Sequence, residues 1–136
     1  MNVETRIQDE FESNGFLKTI GAKLVKVEPG KVILSLEMTD NLTQQLGYMH
    51  AGAIATLADA ASGLAALSMM PEDKTVLSVE FKQNNINACK EASIYAIASV
   101  IKSGRTLTVT NADVIGADSE KMIAKMQATM IAIDKK

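Results

Sequence analysis

The chain has 136 residues, 47% of them hydrophobic and 22% charged, a composition that belongs to a globular domain and excludes a disordered one. Net charge is −2 with no basic block, which excludes a dedicated nucleic-acid binder, because phosphate recognition needs clustered cations. One cysteine, Cys89, excludes an intrachain disulfide, and with one histidine, His50, it leaves no zinc ligand set, so no metal is expected.

The N-terminus, MNVETRIQDE, lacks a basic segment followed by an apolar one, so no leader is expected and the cytoplasm is the expected location. The length fits one domain, 1–136. Val3, Ile7 and Phe11 recur every four residues and predict a helix, which Asn14-Gly15 ends. Residues 21–28 predict a strand, closed by a turn at Pro29-Gly30. Val32, Leu34, Leu36 and Met38 alternate with Ile33, Ser35 and Glu37, so a second, half-buried strand completes a hairpin. Residues 40–50 have no period and read as a loop.

An apolar segment from about 51 to 68 follows, with Pro71 beyond it. It is short of a membrane span of about 20 residues and carries Asp59, so it reads as a buried helix. The remainder reads as strands: Val76 to Phe81, 92–101, and Thr106 to Val114 after a Ser103-Gly104 turn. In the last segment Met122, Met126 and Met130 suit a helix, but Met122, Ala124, Met126, Ala128, Met130 and Ala132 also alternate with polar residues, and strand is preferred. A helix apolar nearly all round must be surrounded by protein. The expected architecture is therefore α+β: a curved antiparallel sheet wrapped around one long central helix, with a short N-terminal helix.

At 100° per residue, Gly52, Thr56, Asp59 and Gly63 share one face of that helix, and Ile54, Leu57, Ala61 and Leu64 the opposite one. Asp59 is thus a carboxylate in a stripe of small groups, with no Lys, Arg or His within a turn. Either a distant partner satisfies it or it is a functional group. The segment Gly47-Tyr48-Met49-His50-Ala51-Gly52 places small residues at the helix start, where free N–H groups can hold a developing oxyanion. His50 reads as a base or, preferably, as a helix cap. No Ser-His-Asp triad follows from the spacing.

With these residues in view, the chain resembles the PaaI-like branch of the hotdog-fold acyl-CoA thioesterases. Residues 42–63, LTQQLGYMHAGAIATLADAASG, match that family's Asn or Gln, then Gly-x-x-His-Gly-Gly, then an Asp nine residues after the His. SVEFKQNNINA (78–88) and KSGRTLTV (102–109) match two later family segments. The resemblance implies hydrolysis of an acyl-CoA to free acid and CoA, with CoA as part of the substrate and no resident cofactor. It makes Asp59 the nucleophile or general base and Gln44, or neighbouring Gln45, the residue that orients water or leaving group. The N–H of Ala51 would polarise the thioester oxygen, His50 would hold the loop, and Ser78 would assist near the attacking water. Gly52 belongs to the same helix start. Lys102, Ser103, Gly104, Arg105, Thr106 and Leu107 would lie against CoA, with Asn85 nearby. Two departures stand out: Ala51 replaces a Gly, and Gln replaces Asn. The resemblance further implies a homodimer with its sites at the interface, often paired into a tetramer. From the charge pattern and the short apolar segment, neither nucleic acid nor membrane is expected as a partner. Two rivals remain, a non-catalytic acyl-CoA binding module and a hotdog hydratase or dehydratase. The acyl group itself is not readable.

Overall fold

The computed structural model describes residues 1–136. The elements in chain order are α1 (Val3–Glu12), α2 (Gly15–Ile20), β1 (Lys23–Glu28), β2 (Lys31–Glu37), a 3-10 turn (Asp40–Leu42), α3 (Ala51–Leu67), β3 (Lys74–Asn85), β4 (Ser93–Ser103), β5 (Leu107–Gly116) and β6 (Met122–Asp134). Every strand pairing is antiparallel, in the order β1-β2-β4-β5-β6-β3.

Strand alternation builds the core as the sequence pattern predicts. Val32, Leu34 and Leu36 of β2, Ile94, Ala96 and Ala98 of β4, and Met126, Ala128 and Met130 of β6 are buried. Ile54, Leu57, Ala58, Ala61 and Leu64 of α3 join them in one cluster. The strand alanines leave room for the helix to lie close, so its larger side chains fill the gaps between strands. The C-terminal methionine segment is a strand, because a period of two puts Met126 and Met130 on the same buried face.

The expected enclosure of α3 by the sheet does not occur. The sheet is an open six-stranded one: β1 and β3 end its strand order and do not pair with each other. α3 lies on one face, and its Ala51 and Gly52 are exposed while Thr56, Asp59, Ala60 and Gly63 are half-buried. The apolar look of that side comes from alanine and glycine, which carry little area to cover, so they do not demand a closed wall. The architecture is α+β and hotdog-like, with one main helix. A second correction concerns the N-terminus, which has two short helices rather than one. Asn14 ends nothing by itself: its Oδ1 accepts from the Leu17 N–H at 3.0 Å and caps the start of α2.

Arg6 ties this helical pair to the end of α3. Its guanidinium donates to the carbonyls of Leu67 at 3.2 Å, Met70 at 2.6 Å, Pro71 at 2.8 Å and Lys74 at 2.9 Å. A helix C-terminus leaves carbonyls without partners, and a planar fork of five donors can serve several at once. Arg6→Ala should cost about 2–3 kcal/mol, near the top of the range for a charge-assisted set, and lower Tm by roughly 6–12 °C in a thermal melt. Arg6→Lys should recover only a small part of that loss. No helix is long and apolar enough to cross a membrane.

Candidate active site

The loop before α3 is folded around Gln44. Its Oε1 accepts from the N–H of Leu46 and, at 3.4 Å, from the N–H of Tyr48, while its own backbone N–H donates to the Tyr48 carbonyl at 2.8 Å. Gly47 sits at φ +85° inside this turn, a conformation that favours glycine. The side-chain NH2 of Gln44 is left to donate elsewhere. Gln45 is exposed and Gln44 half-buried, so Gln44 is the one that faces the helix start.

His50 is the N-cap of α3. Its Nδ1 accepts from the Gly52 N–H at 2.8 Å, which leaves Nε2 as the ring nitrogen without a partner in this loop. A Cβ on Gly52 would stand 2.9 Å from that nitrogen, so glycine is what lets the ring close over the helix. The N–H groups of Ala53 and Ile54 both donate to the His50 carbonyl. Of the first four helical N–H groups, that leaves the one on Ala51 without an acceptor. A single exposed donor at the positive end of a 17-residue helix is thus singled out by the hydrogen bonding of its neighbours. Gln44, Tyr48, His50, Ala51, Asn85 and Cys89 line a cavity of about 350 Å³ in front of it. Lys90 covers the Tyr48 ring, its Nζ 4.6 Å from the centroid.

Asp59 opens on a different cavity, of about 280 Å³, between α3, the start of β3 and the N-terminal helices. Phe11, Leu17, Leu64, Val76 and Met130 form its apolar wall and Ser78 lies across from the carboxylate. Burial pushes the Asp59 carboxyl above its ordinary value; Ser78 pulls it part of the way back. Oδ1 is buried with no hydrogen-bond partner, and no cation lines the cavity. Within its own chain the carboxylate thus faces one polar neighbour, Ser78, and no Lys, Arg or His.

The expected site residues therefore fall into two groups. Gln44, His50, Ala51, Gly52 and Asn85 gather at the helix start, and Asp59 and Ser78 gather two turns further on. Eight residues at 1.5 Å put Ala51 and Asp59 about 12 Å apart along the helix. The turn Lys102 to Leu107 is exposed and joins β4 to β5. Gly104 closes it, donating to the Leu107 carbonyl at 2.8 Å where a Cβ would be only 2.7 Å from that oxygen. Pairing carries Leu107 to Ile131 and Ile131 to Leu77, so this turn belongs to the Asp59 end. Asn85 is eight residues away along β3, about 25 Å. Sequence reasoning missed the α1–α2 wall with Phe11 and Leu17; the available signal was Asn14, read as a stop and acting as a cap.

Residues 46–123, more than half of the chain, match the thioesterase superfamily. The chain belongs to that superfamily. Among relatives, a 1,4-dihydroxy-2-naphthoyl-CoA hydrolase of Listeria monocytogenes is 30% identical, the match covering 90% of this chain and 98% of the relative. A thioesterase family protein of Silicibacter pomeroyi is 38% identical with a TM-score of 0.95, covering 98% of this chain and all of that one. The PaaI protein of the E. coli phenylacetic acid degradation operon shares the fold, with a TM-score of 0.90 at 16% identity over 98% of this chain and 95% of that one. The superfamily match thus includes His50 and Ala51 at the helix start and Asp59 and Ser78 two turns further on.

Proposed function

We propose that this thioesterase-superfamily member hydrolyses acyl-CoA thioesters to a free acid and CoA, at sites shared between two copies of the chain. The observation that carries the reading is the 12 Å split. A carboxylate with no cation beside it and an unpartnered oxyanion donor sit on one helix, too far apart to act on one carbonyl. Each is half of a thioester-cleaving site, and a two-fold dimer supplies the other half twice.

The outer edge of β3 supports this arrangement. It ends the sheet, and Leu77, Val79 and Phe81 on it are 55%, 55% and 46% exposed. An exposed apolar edge strand invites pairing with another chain. If β3 pairs antiparallel with its own copy about a two-fold near Phe81, Leu77 falls opposite Asn85 of the partner subunit. The Asp59 end of one protomer then meets the helix start of the other.

In that site the Ala51 N–H of one protomer polarises the thioester carbonyl, its Gln44 amide orients water or leaving group, and Asp59 of the other protomer works on the carbonyl carbon. Asp59 either takes a proton from water, whose oxygen bonds to the acyl carbon as the C–S bond breaks, or attacks directly to give a mixed anhydride that water then opens. In both routes the electron pair of the C–S bond leaves on sulfur and the thiolate takes up a proton. Ser78 would assist the incoming water, and the exposed Lys102 and Arg105 would meet CoA phosphates. The hydratase alternative needs a histidine base, and Nδ1 of His50 is already engaged with Gly52.

Thiol release from a panel of acyl-CoA esters, run beside sedimentation of the protein, tests this reading. The expected result is CoA release by a species no smaller than a dimer. Thermal stabilisation by CoA without any thiol release would replace hydrolysis with binding alone, and full activity from a monomer would remove the shared site.

A further inference from the structure

We propose that the α1–α2 pair is the acyl-selecting wall of the site, and that the cavity behind Asp59 takes a compact, uncharged acyl group of about one ring or six to eight carbons. The inference rests on the thioesterase reading and adds the substrate class to it. The cavity has the chemistry of an acyl subsite. Its walls are apolar side chains from five elements, Phe11 on α1, Leu17 on α2, Leu64 on α3, Val76 on β3 and Met130 on β6, and the Asp59 carboxylate stands at one side where the acyl carbon would be. A cavity of roughly 150 Å³ holds one benzene ring. At about 280 Å³ this one has nearly twice that space, and it lies just below the usual range of roughly 300–1,000 Å³ for pockets that take larger ligands.

The wall is fixed rather than loosely laid on. Ile7 of α1 is fully buried and Leu17 of α2 nearly so, Asn2 and Asn14 cap the two helices, and Arg6 binds the end of α3. A wall held at so many points does not retreat to admit a longer chain. Phe11 is the large residue of this wall that is only half-buried, so its ring sets the size of the cavity without carrying the core. Charge is selected as well. Glu10 and Asp59 both line the cavity, and no Lys or Arg does. A terminal carboxylate on the acyl chain would lose water there and meet two like charges.

The test is kcat/KM for straight-chain acyl-CoA esters from two to sixteen carbons, in the unaltered protein, Phe11→Ala and Phe11→Trp, with thermal melts to establish folding. For the unaltered protein kcat/KM should rise about fourfold per methylene, the scale of burying a CH2, and stop rising near eight carbons. Phe11→Ala should move that break outward by two to four carbons and Phe11→Trp should move it inward. Glutaryl-CoA should be at least tenfold poorer than pentanoyl-CoA, with Glu10→Gln narrowing the gap. A break that stays in place in both folded Phe11 variants, or glutaryl-CoA used as well as pentanoyl-CoA, overturns this assignment and leaves the thioesterase reading standing. No thiol release from any ester overturns both.

Discussion

Asp59→Asn should lower kcat by at least about a hundredfold, the scale of a lost general base, while leaving the protein as stable as before or more so. The two effects have one cause. Oδ1 of Asp59 is buried without a partner, and burial raises the carboxyl pKa. A group with a raised folded pKa holds its proton in the native state where the unfolded chain has already lost it. Stability therefore falls as pH climbs from the ordinary carboxylate value through the folded one, and above that range the ionised form is carried at a cost. The amide has nothing to ionise, so the Tm advantage of Asp59→Asn should grow across that window and level off above it. Activity runs the opposite way. The reaction needs the carboxylate, so kcat/KM should rise with pH along a limb set above the ordinary carboxylate range. Parallel pH profiles of rate and Tm read both trends. Near-normal turnover by folded Asp59→Asn would remove the carboxylate from the mechanism.

That carboxylate was legible in the sequence because a helix wheel needs only spacing: Asp59 falls among Gly52, Thr56 and Gly63 whatever surrounds them. The strands were legible for the same reason, and the alternation of Met122 to Ala132 outweighed its helical period. What spacing cannot give is what lies on the other side of a pattern. Leu77, Val79 and Phe81 alternate just as core residues do, yet they are exposed on an edge strand. The apolar α3 looked like a helix that must be enclosed, but its outward residues are alanines and glycines whose exposure costs little, so an open sheet suffices. α2 was hidden by Asn14-Gly15, since asparagine serves a helix end and a helix start alike. Which of Gln44 and Gln45 is the more buried had to wait for the fold, because only the turn through Gly47 decides it.

The second large effect should come from Ala51→Pro, which deletes one N–H and almost nothing else. Proline suits the first turn of a helix, where its missing donor has no intrahelical acceptor to lose. The residue before it must be extended, and His50 already is, at φ −64° and ψ 136°. Fold and Tm should therefore survive, and kcat should fall about 10²–10³-fold, as for the loss of one oxyanion donor. Mixing then tests the geometry of the whole site. If Asp59 works on a carbonyl held by the helix start of the other subunit, Ala51→Pro and Asp59→Asn chains unfolded together and refolded form heterodimers with one intact site and one site bearing both lesions. Random pairing makes half of the dimers mixed, so about a quarter of the unaltered activity should return from two inactive proteins. If both groups served the same carbonyl from one chain, every protomer would carry a lesion and mixing would restore nothing. The helix rise speaks for recovery, because about 12 Å of α3 separates the two groups and no bend of a packed 17-residue helix brings them together.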